Sequence, residues 1–193
     1  MSSENFKCVG PGEALAYIRS DLRHARSSVL IIGPWLDDYF AEQLVLVSGK
    51  TLSARVLVRS QPQVDPVVWD RSMAALGIFA GYWAACECRS LDYLHAKCLQ
   101  IDNQIVYVGS ANWYRYSLET SLEILLRGDL NSIEGRCAEL ESLWDQGEPV
   151  AGLKKARAEK SHQTTGITHE VPDQLAAQVL KDVPGSFVLG KKR

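Results

Sequence analysis

Apolar and polar positions alternate along residues 1–148 with two different periods, and the exchange of one period for the other predicts an α/β domain. Leu15, Ile18, Leu22 and Ala25 follow the 3.6-residue spacing of a helix with one core-facing side, just after Pro11-Gly12. Ser28 to Pro34 holds the run Val29-Leu30-Ile31-Ile32, which has the length and branching of a buried strand. Asp37 or Asp38 is placed to cap a second helix through Tyr39, Leu44 and Val47. Arg55 to Arg59 reads as a strand, and a helix after Pro66 runs through Trp69, Met73 and Leu76 to about Ala80. Further strands are expected at 82–89, 95–101, 105–108 and 120–127, the middle two joined by the turn residues Asp102-Asn103-Gln104. Leu130, Ile133, Cys137, Leu140 and Trp144 close the domain with an amphipathic helix. The expected fold is an α/β/α sandwich with a mixed sheet and helices on both faces.

Past Gly147-Glu148-Pro149 the periodicity weakens, so residues 149–193 are expected to form a basic, mobile or partner-binding extension. Its best helical stretch is Gln174 to Lys181, between Pro172 and Pro184. Charge follows the same division. The 193-residue chain has a net charge of −2, but residues 1–150 carry 13 Lys and Arg against 19 Asp and Glu, and residues 151–193 carry 8 against 4. The acidic body argues mildly against non-specific nucleic-acid binding, whereas the basic tail is a possible handle for a polyanion or a protein partner. With 46% hydrophobic and 23% charged residues the chain is ordinarily globular. It has no apolar run of about 18 residues, and its polar first residues lead into no hydrophobic stretch. A soluble, cytoplasmic protein without a membrane partner is therefore expected.

The five cysteines, an odd number, read as reduced thiols. Cys86 and Cys88 would share one face of a strand, and no second Cys or His pair stands at ligand spacing, so neither metal nor other cofactor is expected.

One segment carries chemistry: His95-Ala96-Lys97, four residues, Asp102, six residues, then Gly109-Ser110-Ala111-Asn112. Residues two apart on a strand face the same way, so His95 and Lys97 project together. A hairpin at Asp102 returns the chain, and Ser110 and Asn112 can then face the same place. Lys, Ser and Asn suit phosphate oxygens, and His is the nucleophile or proton carrier. A lone His-x-Lys is ordinarily a surface pair, but six fixed residues in register arise by chance only on the order of 10⁻⁶ to 10⁻⁵ in a chain of this length.

This segment resembles the HKD motif of the phospholipase D superfamily, His-x-Lys-x4-Asp-x6-Gly-Ser-x-Asn, at every specified position, and the resemblance spans about residues 5–145. It implies phosphodiester transfer without a metal through a covalent phosphohistidine. Such a site uses two His-x-Lys motifs, and this chain has one: His24, His162 and His169 lack Lys two residues on. The resemblance thus implies a homodimer with one motif from each copy, most single-motif members being nucleases. His95 would attack phosphorus in one copy and protonate the leaving oxygen in the other. Lys97 and Asn112 would neutralise phosphoryl oxygens, Ser110 would help position them, and Glu123 would hydrogen-bond the histidine, with Ser117 also matching the family.

Several residues keep a structural reading beside the functional one. Asp102 at a hairpin tip is structural by default, and Gly109 alone is more often a turn glycine. Glu119 and Glu123 can be one solvated strand face. Trp113, Arg115, Trp35 and Arg59 are rim candidates for contacting substrate, although core aromatics and solvated arginines are common. The expected activity is an endonuclease acting on DNA or RNA. The alternatives are a phospholipid phosphodiesterase or phosphatidyl transferase, and a nucleic-acid-binding subunit of a larger assembly.

Overall fold

The computed structural model describes residues 6–10, 12–132 and 138–153. Eight strands form one mixed sheet: β1 Phe6–Val9, β2 Ser28–Ile32, β3 Ser53–Arg59, β4 Ala85–Leu91, β5 Cys98–Ile101, β6 Ile105–Gly109, β7 Leu125–Asp129 and β8 Glu148–Pro149. Their order across the sheet is β1-β7-β6-β5-β2-β3-β4-β8. Strands β2, β3 and β4 run parallel, and all other neighbours are antiparallel. Five helices accompany them: α1 Ala14–Arg23, α2 Asp38–Val45, α3 Pro66–Tyr82, α4 Arg115–Glu119 and α5 Ala138–Gln146.

The pleat sorts the core into two layers. Val29 and Ile31 pack on one face with Ile18 and Leu22 of α1, Phe40 and Leu44 of α2, and Leu76 and Phe79 of α3. Leu30 and Ile32 pack on the other with Leu57, Cys98, Val106 and Trp144 of α5. Helices therefore cover both faces, as expected. Asp37 caps α2, its carboxylate accepting from Phe40 N–H at 2.8 Å, and Asp65 caps α3 through Val67 N–H.

Three expected strands move, and the one expected at 82–89 is found at Ala85–Leu91 because α3 runs on to Tyr82. The strand expected at 95–101 begins at Cys98, so His95 and Lys97 lie in the extended segment before it. The strand expected at 120–127 begins at Leu125 because a one-turn helix, α4, precedes it. The edge strand β1 is unexpected. The expected closing helix is seen from Ala138 onward, while Ile133 and Cys137 lie outside the described residues, as do the stretch 174–181, His162 and His169. Cys86 and Cys88 share a face with their sulfurs 3.9 Å apart.

Candidate active site

Topology gathers the motif at one end of the sheet. Ile32 at the end of β2 pairs with Cys98 at the start of β5, Cys98 pairs with Val108, and Gly109 pairs with Leu125 at the start of β7. The segments leading into β5 and β7 and those leaving β2, β3 and β6 therefore emerge side by side. They carry His95 and Lys97, Glu123, Trp35, Arg59, and Ser110 with Asn112.

His95 is exposed and Lys97 is only 7% exposed, yet the two converge. Lys97 Nζ lies 3.4 Å from His95 Nε2 and donates at 2.9 Å to the His95 carbonyl. They open, with Gly109 and Ser110, into a cleft of about 510 Å³ floored by Cys98, Val106 and Val108 and walled by Glu139 and Leu140 of α5. Desolvation, Lys97 and Arg59 together lower the His95 pKa, which favours the neutral imidazole. Desolvation also lowers the Lys97 pKa, with the Glu123 carboxylate opposing it and Arg59 adding to it.

Glu123 is held by serines. Its carboxylate accepts from Ser110 Oγ at 2.5 Å and from Ser117 Oγ at 2.7 Å, and Ser117 Oγ accepts from Asn112 N–H at 2.9 Å. Within one chain the carboxylate therefore braces Ser110 and, through Ser117, Asn112. Asn112 is 6% exposed, and its Oδ1 is buried without a hydrogen-bond partner. Burial raises the pKa of the neighbouring Tyr114 hydroxyl, against hydrogen bonds from Asn112 and Ser117.

Two of the four rim candidates reach the histidine. The Trp35 ring meets the His95 ring edge-on at 6.3 Å, and the Arg59 guanidinium lies 5.5 Å from the Trp35 centroid. Trp113 does not belong to the rim. It is fully buried, stacks on Phe40 at 5.4 Å and donates from its indole to the Ile32 carbonyl at 2.8 Å. Gly33 makes the room, since a Cβ there would lie 2.4 Å from the indole. Arg115 stands apart from the cleft, bonded to Glu119 at 3.0 Å and packed over the Tyr39 ring.

Asp102 and Gly109 both have structural explanations. The Asp102 carboxylate accepts from the backbone N–H groups of Arg26, Ser27 and Ser28 and from Ser27 Oγ, tying the hairpin tip to the start of β2. Gly109 is not a turn residue. It lies in β6 so close to β7 that a Cβ would sit 2.0 Å from the Ile124 carbonyl oxygen. Gly33 and the buried Asp37, whose carboxylate also receives Arg115 N–H, act through partners far away in sequence, whereas Ser117 acts through Asn112 and Glu123 close by in the chain. Among the described residues no three His, Cys, Asp or Glu side chains are grouped to hold a metal ion, and no helix is long and apolar enough to cross a membrane.

Comparison with known proteins agrees with this fold. NucT from Helicobacter pylori shares the fold with a TM-score of 0.59 at 22% identity, over 75% of this chain and 99% of its own. Nuc from Salmonella typhimurium, a phospholipase D family member, gives 0.61 at 16% identity over 75% and 98%. TrmBL2, an archaeal chromatin protein with a novel mode of DNA binding, gives 0.54 at 14% identity over 78% and 56%. No curated protein matches the chain in sequence. The family described as cardiolipin synthase, PLD-like domain, matches residues 18–144, and with this match to most of the described fold the chain belongs to that family within the phospholipase D superfamily.

Proposed function

We propose that the protein is a metal-independent phosphodiesterase, an endonuclease on DNA or RNA, that works as a homodimer through a phosphohistidine. The observation that carries this reading is the Lys97 ammonium 3.4 Å from His95 Nε2 at the mouth of the cleft. A phosphoryl oxygen paired with Lys97 would bring its phosphorus beside that nitrogen. The lowered His95 pKa favours the nucleophilic form. His95 forms the P–N bond as the P–O bond to the leaving group breaks, and His95 of the partner subunit gives that oxygen its proton. Water then attacks phosphorus, the P–N bond breaks, and the partner's His95 takes the water's proton. Lys97 and Asn112 offset the growing negative charge on the equatorial oxygens.

The single His-x-Lys and an uncovered apolar strip beside the cleft support the dimer. Leu126 pairs with Val108 and with Cys8 across three strands, all three are exposed, and Ile124 and Leu122 extend the strip by steps of two. A second copy seated there would add its own motif to the cleft. The folds shared with NucT, Nuc and a DNA-binding chromatin protein support a nucleic-acid substrate. The family description favours phosphatidyl transfer as the second reading.

Cleavage of labelled DNA and RNA in EDTA, beside His95→Ala, tests the proposal. Cutting that survives the chelator and vanishes in the variant is expected. Cutting that persists in His95→Ala, or an active monomer by light scattering, would overturn it. Activity on phosphatidylglycerol vesicles with none on nucleic acid would favour the second reading.

A further inference from the structure

The segment Asp92-Tyr93-Leu94 links β4 to His95 and holds an aromatic residue in an unusual state. Tyr93 has φ = 57°, a left-handed conformation that bulky side chains rarely adopt. Tyr93 N–H donates to Gln63 Oε1 at 2.6 Å, and the segment around it is held by Ser60 N–H on the Leu91 carbonyl at 3.2 Å and Arg59 Nε on the Leu94 carbonyl at 2.8 Å. Leu94 is inserted into the core layer on the α5 side. Burial does not compensate the strain, because Tyr93 itself is 84% exposed. A glycine or asparagine would suit the backbone better, so the fold alone gives no reason for a tyrosine ring here.

Position supplies one. The ring stands two residues before His95, and the same Arg59 that fixes the segment lies over Trp35, which abuts the His95 imidazole. An exposed ring on a rigid backbone, two residues before His95 and one before the Leu94 carbonyl that Arg59 holds, can receive the flat face of a base adjoining a phosphate held at His95. Bases inside a duplex are already stacked and present no free face to it.

We propose that Tyr93 is a base-stacking platform that selects nucleic acid unpaired at the cut; this rests on the nuclease reading above. The proposal assigns Tyr93 to substrate selection, with the bond-making and bond-breaking left to His95.

The test measures binding of a short fluorescent single-stranded oligonucleotide to the full-length chain carrying His95→Ala, which prevents cutting. Tyr93→Gly should weaken binding about 5- to 100-fold, and Tyr93→Phe should bind as the parent does. Because glycine accepts φ = 57° without strain, the thermal midpoint of Tyr93→Gly should equal or exceed the parent's, separating lost stacking from lost folding. An oligonucleotide scanned with one abasic position should show a loss of the same size at a single site, and Tyr93→Gly should not deepen it. Unchanged binding by Tyr93→Gly in the His95→Ala background, where the chain with His95 intact cuts nucleic acid, would overturn this proposal alone, as would losses that add. A parent that binds no oligonucleotide but binds anionic phospholipid vesicles would overturn both this proposal and the nuclease reading.

Discussion

Replacing Gly109 with alanine tests whether the motif glycine is there for strand proximity. The new Cβ would lie 2.0 Å from the Ile124 carbonyl oxygen and 2.9 Å from Leu125 Cα, whereas real Cβ contacts essentially never fall below 3.0 Å. Both neighbours are backbone, so no side chain can rotate away, and β6 and β7 must separate by about 1 Å from their normal spacing. The separation strains the Ser110 N–H bond to the Ile124 carbonyl, 2.9 Å long, and the returning Ile124 N–H bond to Ser110 Oγ, 3.1 Å long. Overpacking costs about 1–3 kcal/mol and each of the two weakened hydrogen bonds about 0.5–1.5 kcal/mol, giving a loss of roughly 2–6 kcal/mol. At about 2–4 °C per kcal/mol for a domain of this size, that lowers the thermal midpoint by roughly 4–24 °C. Ser110 moves with its strand, and a shift of about 1 Å in a catalytic constellation lowers the rate by up to about 100-fold. Calorimetry and the cleavage assay should be run beside Gly10→Ala, where an added Cβ meets only the Glu13 side chain at 3.6 Å. Gly109→Ala that melts and cuts like the unmodified protein would refute the reasoning.

Three other outcomes are expected. Asp102→Ala should lower stability by about 1–3 kcal/mol by removing acceptors from three backbone N–H groups, yet leave kcat nearly unchanged; a collapse of kcat in a well-folded variant would place Asp102 in the chemistry. Its hydrogen bonds hold the folded pKa below the ordinary value of 3.8, so its contribution should be present above that value and disappear as pH falls through the lower folded one, seen as the difference between unmodified protein and variant in acid melts. The acid limb of kcat/KM, read as deprotonation of His95, should fall below the ordinary imidazole value of 6.5, and Arg59→Gln should raise it by removing a cation; a limb that stays put or falls would contradict the assignment. Ser117→Ala leaves Asn112 N–H buried without its acceptor, so stability should drop by about 1–3 kcal/mol and cleavage should weaken with KM little changed, a split measurable by steady-state kinetics.

The parts of this fold that were readable from sequence depend on local period. Alternation in Val29-Leu30-Ile31-Ile32 divides cleanly between the two core layers, and the His95–Lys97 pair converges as a two-residue step requires, even though regular strand begins only at Cys98. The readings that the structure changes depend on relations that a local period does not show. Trp113 follows the motif and resembles a rim residue, but Gly33 and Phe40, some 80 and 73 positions earlier, form the slot that buries it. Glu123 resembles one face of a strand, but α4 delays that strand and delivers the carboxylate to Ser110 and Ser117. No short window of sequence contains the first relation, and the second, though it spans only residues 110–123, depends on α4 interrupting the expected strand.

The Asp102 tie also explains why the motif is specified by its gaps as much as by its letters. One corner of the hairpin is fastened to the start of β2, and the cleft lies at the opposite end, where Cys98 pairs with Ile32. Both legs are therefore measured from a fixed post, with Ile101 facing Ile105 nearest it and Cys98 facing Val108 farthest away. One residue inserted into either leg would turn Lys97 or Ser110 to the wrong side of the sheet. Two would restore the side but carry the group about 6.8 Å past its counterpart. The intervening positions can change in kind but not in number: the hairpin works as a ruler, and its length is part of the candidate site.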